Sequence, residues 1–371
     1  MRTGDTTVGL TRILLRMASA WGSGALRTLW RTRGLQAGLV RSRRRRRKAL
    51  REEGLHVPMA IAISPTSRCN LACKGCYARF HPTDGEMPVE TIDAVVRDAS
   101  ELGVFFIVIT GGEPYLRPEM IDLYERYRNV LFLTVTNGTL IDTAIASRLA
   151  GTGNVFPVVS IEGTRELTDG RRGEGVYDRV IDCMRLLAGV RIPFGFSAVV
   201  TRESAATLGG DGFVAQMVER GCTVGFFNEF IPAGRGEIGL VPDAEQRRWF
   251  AGRVDHLRRR HPVVLINLPA DEYDADGRCM AVSNGAVHIN ARGDVEPCPF
   301  AHYALENVTR CTFRDILSSP FLAAIRGHPT VLRCGEIGCS LVANHATLAG
   351  IARETGARQT RATEPDSGEW M

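Results

Sequence analysis

Residues 67–77 read Ser-Arg-Cys-Asn-Leu-Ala-Cys-Lys-Gly-Cys-Tyr, and they follow the apolar run Met59–Ile63. The cysteines at 69, 73 and 76 have a C-x3-C-x2-C spacing. A short loop that leaves a strand can bring three thiolates to one metal centre, and thiolates select zinc or iron–sulfur clusters. A structural zinc requires a closed set of four ligands. Because no fourth cysteine is near in the sequence, the spacing predicts a metal centre with one open coordination position.

From residue 58 onward, short apolar runs alternate with amphipathic helical segments. The runs are continuous and rich in β-branched or aromatic residues, as strands covered on both faces are. They are Met59–Ile63, Val104–Thr110, Val130–Thr136, Val155–Ile161, Ile192–Val200 and Thr223–Phe227. Six strand–helix units in series predict an α/β fold with a parallel sheet, either open or partly closed into a barrel.

Polar and glycine-rich segments follow several of these strands. In parallel barrels the chemistry lies at the carboxyl ends of the strands. The segments are Gly111-Gly112-Glu113-Pro114, Thr136-Asn137-Gly138, Ser160-Ile161-Glu162-Gly163, Arg171-Arg172-Gly173 and Asn228-Glu229. Each alone is compatible with an ordinary turn. Their recurrence at one rim predicts a binding site there.

The cysteine loop and the glycine-rich segment together resemble the radical S-adenosylmethionine (radical SAM) enzymes. The resemblance implies a partial (βα)6 TIM-type barrel. It also implies a [4Fe–4S] cluster held by Cys69, Cys73 and Cys76, with S-adenosylmethionine (SAM) chelating the fourth iron. The sequence departs from the family pattern at one position, because the residue before the last cysteine is usually aromatic and here is Gly75.

The same resemblance assigns the rim residues to SAM. Gly111, Gly112, Glu113 and Pro114 match the family's GGEP motif, in which Gly111–Glu113 bind the methionyl amine. Charge-assisted hydrogen bonds suit such a contact. The remaining positions are expected near the ribose or the methionyl group, with Arg172 neutralising the methionyl carboxylate; they are Thr136, Asn137, Ser160, Glu162 and Arg172.

A second cysteine group lies in the C-terminal third, at Cys279, Cys298, Cys334 and Cys339. Residues 286–297 predict a β-hairpin that turns at Arg292-Gly293-Asp294 and brings Cys279 and Cys298 to its two ends. The pattern resembles the twitch domain, a shortened SPASM extension, which implies a second [4Fe–4S] cluster in a small α+β domain. A zinc ribbon remains the alternative, since four cysteines suit zinc equally well.

Charge divides the chain into two parts. Residues 1–53 contain 14 Lys and Arg against 3 Asp and Glu, although the whole 371-residue chain carries only +5. Leu10, Ile13, Leu14, Met17 and Trp21 fall on one helical face, and seven basic residues follow within Arg41–Lys48. This pattern is typical of a helix on an anionic membrane surface. A disordered arm and helices packed on the barrel are the alternatives. Nucleic acid is disfavoured because no aromatics interleave the basic run.

The predicted organisation has four parts. Residues 1–55 form a basic amphipathic arm, 56–240 the barrel, 241–345 a linker helix with the auxiliary-cluster domain, and 346–371 a disordered tail. Ten cysteines in a chain of this size indicate metal binding in a reducing, cytoplasmic compartment. The basic N-terminal segment adds the expectation of peripheral attachment at the inner membrane face. No run of 18 apolar residues exists to span a bilayer.

The favoured function is a radical SAM enzyme that forms a 5′-deoxyadenosyl radical and abstracts hydrogen from a small molecule or lipid. A flavodoxin- or ferredoxin-type donor would supply the electron. Two alternatives stay open, namely a radical SAM maturase of a ribosomal peptide and an iron–sulfur electron carrier without its own reaction. The sequence does not name the substrate.

Overall fold

The computed structural model describes residues 25–81, 86–232, 235–335 and 338–361. The helices are α1 (Ala25–Glu53), α2 (Val89–Leu102), α3 (Glu119–Arg126), α4 (Thr143–Thr152), α5 (Arg165–Arg172), α6 (Val176–Gly189), α7 (Ala205–Leu208), α8 (Asp211–Glu219), α9 (Ala244–Arg260), α10 (Met280–Ser283), α11 (Phe313–Leu317), α12 (Pro320–Gly327), α13 (Ser340–Ala343) and α14 (His345–Thr355). The strands are β1 (Ala60–Ile63), β2 (Phe106–Ile109), β3 (Leu131–Thr136), β4 (Val155–Ser160), β5 (Phe194–Val200), β6 (Cys222–Glu229), β7 (Val264–Leu268), β8 (His288–Ile289), β9 (Val295–Glu296), β10 (Tyr303–Ala304) and β11 (Arg358–Gln359).

The main sheet has nine strands in the order β7-β6-β5-β4-β3-β2-β1-β8-β9. Strands β1 to β7 are all parallel, and successive strands along the chain are neighbours. Helices return the chain between the strands and cover one face of the sheet, and on the other face strand residues of β3, β4 and β6 pack with Leu35 of α1. This explains why the strands are apolar on both sides. The α/β barrel predicted from the sequence is confirmed, with one addition. Strand β7 extends the sheet beyond the six predicted strands.

The predicted C-terminal hairpin is present as β8 and β9. The strands are antiparallel, and Gly293 at their turn has a φ of 83°, the left-handed conformation that favours glycine. Strand β8 pairs in parallel with β1, so that Ala62 lies beside His288. The auxiliary domain therefore begins as a continuation of the barrel sheet, at the strand that leads into the cysteine loop.

Helix α1 lies across the amino ends of the first strands. Leu35 and Ala49 are buried, and Ser42 Oγ donates to the Gly103 carbonyl at 2.5 Å. Gly38 allows the closest approach, because a Cβ there would lie 2.1 Å from the Asn129 carbonyl oxygen. Residues 35–49 therefore pack on the barrel, which is one of the alternatives that the sequence left open, and they do not form the separate arm predicted for residues 1–55. The apolar face predicted at residues 10–21 lies outside the described residues.

The C-terminal segment is also more ordered than predicted. Helix α14 packs against α12 and buries Leu348, Ile351 and Ala352. Strand β11 then pairs with β10. The prediction of a disordered tail is wrong for residues 346–361, because these apolar side chains complete the core of the C-terminal domain. Residues 362–371 lie outside the described part of the chain.

Candidate active site

The cysteine loop follows β1 at the carboxyl edge of the sheet. Cys73 is buried, Cys76 is half-buried and Cys69 is exposed. Two donors face the Cys69 sulfur, the Leu71 N–H at 3.5 Å and the Asn137 Nδ2 at 3.6 Å. Burial raises the pKa of Cys69 and of Cys73, while nearby Arg172 and Arg171 act in the opposite direction on Cys73. Donors and cations around thiols from one short loop fit an anionic iron–sulfur cluster.

The glycine-rich loop after β2 packs directly on the cysteine loop. The Gly112 N–H donates to the Thr66 carbonyl at 2.9 Å, and the Glu113 N–H donates to the Arg68 carbonyl at 2.9 Å. A Cβ on Gly112 would lie 2.0 Å from the Arg68 carbonyl oxygen. Gly111 has a φ of 93°. These glycines are therefore required for contact between the two loops, before any ligand is considered.

The Glu113 carboxylate ties the ends of β2 and β3 together. It is 1% exposed and accepts from Thr136 Oγ1 at 2.8 Å and from the Asn137 N–H at 2.8 Å. A third donor, the Tyr115 N–H, comes from the turn that Pro114 begins. Burial raises the pKa of Glu113, and these donors oppose it. A carboxylate offers about four lone-pair sites, so roughly one is left for an incoming ammonium group.

The residues after β4 form a buried ion-pair cluster. Glu162 Oε1 accepts from Arg171 at 2.6 Å and from the Arg172 guanidinium at 2.5 and 2.9 Å. Glu162 Oε2 accepts from the Val199 N–H of β5 at 2.9 Å. Burial would raise the pKa of Glu162, but the two arginines lower it overall. Ser160, at the end of β4, is buried beside this group.

Arg172 was predicted to neutralise the methionyl carboxylate, and the structure pairs it with Glu162. Arg171, which sequence reasoning did not assign, supports the cysteine loop. Its carbonyl accepts from the Lys74 N–H at 2.9 Å, and its Nη2 lies 3.4 Å from the Gly75 carbonyl. The sequence signal that could have indicated this contact is the pair Arg171-Arg172 after β4.

The unusual Gly75 is explained by an aromatic side chain from another strand. Gly75 has a φ of 65°, and a Cβ there would lie 2.5 Å from Cε2 of Phe230. Phe230 follows β6 and is 2% exposed. Its ring occupies the space where the family's aromatic side chain would begin. Sequence reasoning missed Phe230 because nothing local links residues 75 and 230.

The second cysteine group is assembled by backbone pairing. The Cys279 N–H donates to the Leu332 carbonyl, and the Cys334 N–H donates to the Gly277 carbonyl, each at 2.9 Å. Tyr273 Oη accepts from the Ser340 N–H at 2.8 Å and donates to the Gly338 carbonyl at 2.7 Å, which holds Cys339 nearby.

The thiols of this group interact. A hydrogen bond between Cys298 and Cys339 raises the pKa of Cys298 and lowers that of Cys339, and Cys279 acts on Cys298 as well. Among the described cysteines, no three bring their sulfur atoms within 4.8 Å of one another. Ligands of a single zinc ion would lie about 3.8 Å apart, given a Zn–S distance of 2.3 Å. The described cysteines therefore do not form a preassembled four-sulfur zinc site.

A parallel βα barrel with a three-cysteine loop at its carboxyl edge, and a second cysteine group beside it, defines an iron–sulfur enzyme of the radical SAM class. The family models agree. "Radical SAM superfamily" matches residues 63–208, and SPASM, "Iron-sulfur cluster-binding domain", matches residues 279–340.

Known proteins give the same class. The mycofactocin maturase MftC of Mycobacterium tuberculosis (strain CDC 1551 / Oshkosh) is 30% identical over 309 residues, which is 77% of this chain and 77% of the maturase. The pre-heme d1 synthase of Dinoroseobacter shibae is 26% identical over 333 residues, 78% of this chain and 82% of the synthase. Among solved structures, Streptococcus suis SuiB bound to its precursor peptide SuiA has a TM-score of 0.64 at 19% identity and covers 86% of this chain and 76% of its own.

The chain belongs to the radical SAM superfamily and carries a SPASM domain. The superfamily uses a [4Fe–4S] cluster with SAM, and a SPASM domain binds additional iron–sulfur clusters.

Among the residues that the structure describes, no helix is long and apolar enough to cross a membrane.

Proposed function

We propose that this protein is a radical SAM maturase that modifies a ribosomally made peptide. The observation that carries the proposal is the 30% identity to a mycofactocin maturase over 77% of both chains. The sequence alone favoured a small molecule or lipid and kept the peptide maturase as an alternative. The relatives favour that alternative. The likeness to peptide-bound SuiB supports the same barrel-plus-extension fold.

Cys69, Cys73 and Cys76 hold the catalytic cluster in this proposal. When bound, the cluster supplies the electron that cleaves SAM to a 5′-deoxyadenosyl radical. The Asn137 amide and the Leu71 N–H stabilise the thiolate of Cys69 through charge-assisted hydrogen bonds. The paired arginines beside Cys73 favour its deprotonated form.

The rim residues bind and orient SAM. Backbone groups of Gly111 and Gly112, together with the remaining acceptor site of Glu113, receive the methionyl ammonium group. Thr136 and Asn137 fix the Glu113 carboxylate for that contact. Glu162 offsets one of the two positive charges of Arg171 and Arg172, so a net positive charge remains at this cluster for the methionyl carboxylate. This arrangement orders the loop before the cofactor binds.

Cys279, Cys298, Cys334 and Cys339 hold an auxiliary [4Fe–4S] cluster. The hairpin and the β1–β8 pairing attach this group to the strand that leads into the catalytic loop. Such a cluster can accept an electron from the substrate or anchor it.

A tetrapyrrole substrate is the second candidate. The pre-heme d1 synthase aligns with a slightly larger share of this chain, 78%, although at 26% identity. Both candidates use the same barrel and the same cofactor, so only the substrate distinguishes them.

The experiment supplies each candidate substrate to one enzyme preparation. Anaerobically reconstituted protein is incubated with SAM, dithionite in place of the flavodoxin- or ferredoxin-type donor, and either the short peptide encoded nearest the gene or an iron porphyrin. The expected result is a mass change in the peptide, with 5′-deoxyadenosine formed in step. The Cys76→Ala variant serves as the inactive control. Turnover of the porphyrin with an unchanged peptide would overturn the proposal.

A further inference from the structure

Three buried side chains meet behind the cysteine loop. His288 on β8 lies opposite Glu296 on β9, and His81 follows the turn that begins after Cys76. His81 is 3% exposed, and the other two side chains are fully buried. One ligand atom of each lies within 4.8 Å of the corresponding atoms of the other two.

His81 is the residue that requires an explanation. Both of its ring nitrogens are buried, and neither makes a well-aligned hydrogen bond among the described residues, although the Pro299 carbonyl interacts with the ring and raises its pKa. Its Nδ1 lies 4.0 Å from Glu296 Oε1, which is too long for a hydrogen bond. A buried polar atom without a well-aligned partner is unfavourable, because it has lost its hydrogen bonds to water. A bound ion would supply the partner that the His81 ring lacks on its Glu296 side.

The other two groups are already oriented as metal ligands usually are. His288 Nε2 lies 2.7 Å from Ser64 Oγ, and its Nδ1 lies 2.7 Å from Glu296 Oε2. Asn290 Nδ2 donates to Glu296 Oε1 at 3.1 Å. Hydrogen bonds of this kind fix the ring and the carboxylate around a bound ion.

The two imidazoles are in the form that binds metals. Burial lowers the pKa of His288 to about 3. Burial also lowers the pKa of His81, partly offset by Glu296. Neutral imidazoles are the form that binds metals. The cluster thus offers two neutral imidazoles beside the Glu296 carboxyl group.

We propose that His81, His288 and Glu296 form a binding site for one divalent transition-metal ion such as Zn²⁺. Two imidazoles and one carboxylate suit zinc or ferrous iron. Ligand atoms around such an ion lie about 3–4 Å apart, given metal–ligand distances of about 2.1 Å. The 4.0 Å separation at His81 already fits, and the 2.7 Å contact between His288 and Glu296 has to widen slightly.

His302 is a candidate fourth ligand. Its ring centroid lies 4.8 Å from that of His81, and its buried Nδ1 has no hydrogen-bond partner among the described residues. The ion would connect the loop after Cys76 to the hairpin that leads to Cys298. The site would thus lie between the segments that carry the two cysteine groups. It is distinct from both, and it does not depend on the peptide proposal.

The test measures zinc in the cluster-loaded, full-length protein. The protein is incubated anaerobically with Zn²⁺ alone and desalted, and zinc and iron are determined by mass spectrometry. About one zinc per chain is expected, with nitrogen and oxygen neighbours at about 2.0–2.1 Å in zinc X-ray absorption. The His81→Ala and Glu296→Gln variants should lose the zinc and keep their iron. Ser64→Ala should weaken zinc binding by about 10–100-fold.

His261→Ala is the matched control, because His261 also has a buried ring nitrogen without a partner among the described residues but lies just before β7. It should keep the zinc. If Glu296→Gln does not fold, His81→Ala still decides the question, since it leaves the hydrogen bond between His288 and Glu296 in place. Excess zinc should also raise the melting temperature of the wild type and not that of His81→Ala. Wild-type protein without zinc, sulfur neighbours around the zinc, or equal zinc in His81→Ala would overturn the proposal.

Discussion

At the level of single residues, the departure from the family motif at Gly75 is compensated elsewhere in the fold. The ring of Phe230 lies where a side chain at 75 would begin, and the left-handed backbone of Gly75 turns the loop toward Cys76. The aromatic group that the family motif places just before the last cysteine is supplied here by Phe230, which lies 155 residues further along the chain. Such a contact arises from packing, and for that reason the sequence alone did not reveal it.

Gly75→Ala should disrupt the cysteine loop. The left-handed conformation costs a non-glycine residue about 1–2 kcal/mol, and the new Cβ collides with Phe230. We expect a lower melting temperature and reduced iron in the catalytic cluster. Gly170→Ala, in the last turn of α5 with nothing within 4 Å of the added Cβ, should be neutral or stabilising. Equal behaviour of the two variants would refute the packing argument.

Glu162→Gln should destabilise the protein in a pH-dependent way. Removing one partner of a buried ion pair costs about 3 kcal/mol. Because the folded pKa of Glu162 is lowered, its contribution is fully present above the unfolded pKa of about 4.3 and is lost as pH falls through the folded value. The gap in melting temperature between variant and wild type should be constant from pH 8 to 5 and narrow below about pH 4. Glu174→Gln, exposed in the loop after α5, should show no gap at any pH.

At the level of elements, the sequence predicted the barrel strands well and the C-terminal segment poorly. Six continuous apolar runs have a strong signal, and all six became strands. Strand β7 was missed because it follows the long helix α9 within a segment interpreted as a linker. Helix α14 was missed because its apolar residues are few and lie in a stretch rich in Thr, Arg and Gly. Their burial against α12 is a tertiary effect.

Leu348→Ala tests the order of this segment. Leu348 is 2% exposed on α14, and a buried Leu→Ala substitution costs about 3 kcal/mol. We expect a clear fall in melting temperature and in the denaturant midpoint. The exposed Glu354→Ala on the same helix should have little effect. A tail that is disordered in solution would make both substitutions silent.

At the level of the whole molecule, α1 places the basic run at the end of the barrel opposite the cysteine loop. Arg45 donates to the Ser100 carbonyl and Arg46 to the Val57 carbonyl, while Arg43, Arg44 and Arg47 stay exposed. Residues 57, 100 and 103 lie before or at the amino ends of strands, and the site lies at the carboxyl ends. Membrane attachment through α1 would therefore leave the active site facing away from the lipid, so a basic helix is no argument for a lipid substrate.

Membrane attachment itself remains a prediction. Replacing Arg43, Arg44 and Arg47 with Glu should weaken sedimentation with anionic vesicles by about a hundredfold or more, since each basic residue contributes about 1 kcal/mol near such a surface. High salt should release the wild type. Neutral vesicles serve as the control. Equal sedimentation of the two proteins with anionic vesicles would exclude this surface.

The predicted site residues differ in how far the sequence could define them. The three cysteines and the glycine-rich segment are local patterns, and the structure brings them together as two contacting loops. The pairing of Arg172 with Glu162 and the use of Glu113 as a brace between strands depend on side-chain geometry across three strands. The spacing of residues in the sequence at the end of one strand does not predict which side chain of a neighbouring strand a charged residue will pair with.

Reductive cleavage of SAM at the Cys69, Cys73 and Cys76 loop is the central claim, and one assay tests it most directly. Reconstituted wild type and the triple Ala variant are incubated with SAM and dithionite, and 5′-deoxyadenosine and iron are measured in the same samples. The wild type should form 5′-deoxyadenosine. The variant should form none while keeping roughly half of the iron, in the cluster assigned to the second cysteine group. Undiminished 5′-deoxyadenosine in the triple variant would contradict the assignment of the catalytic cluster.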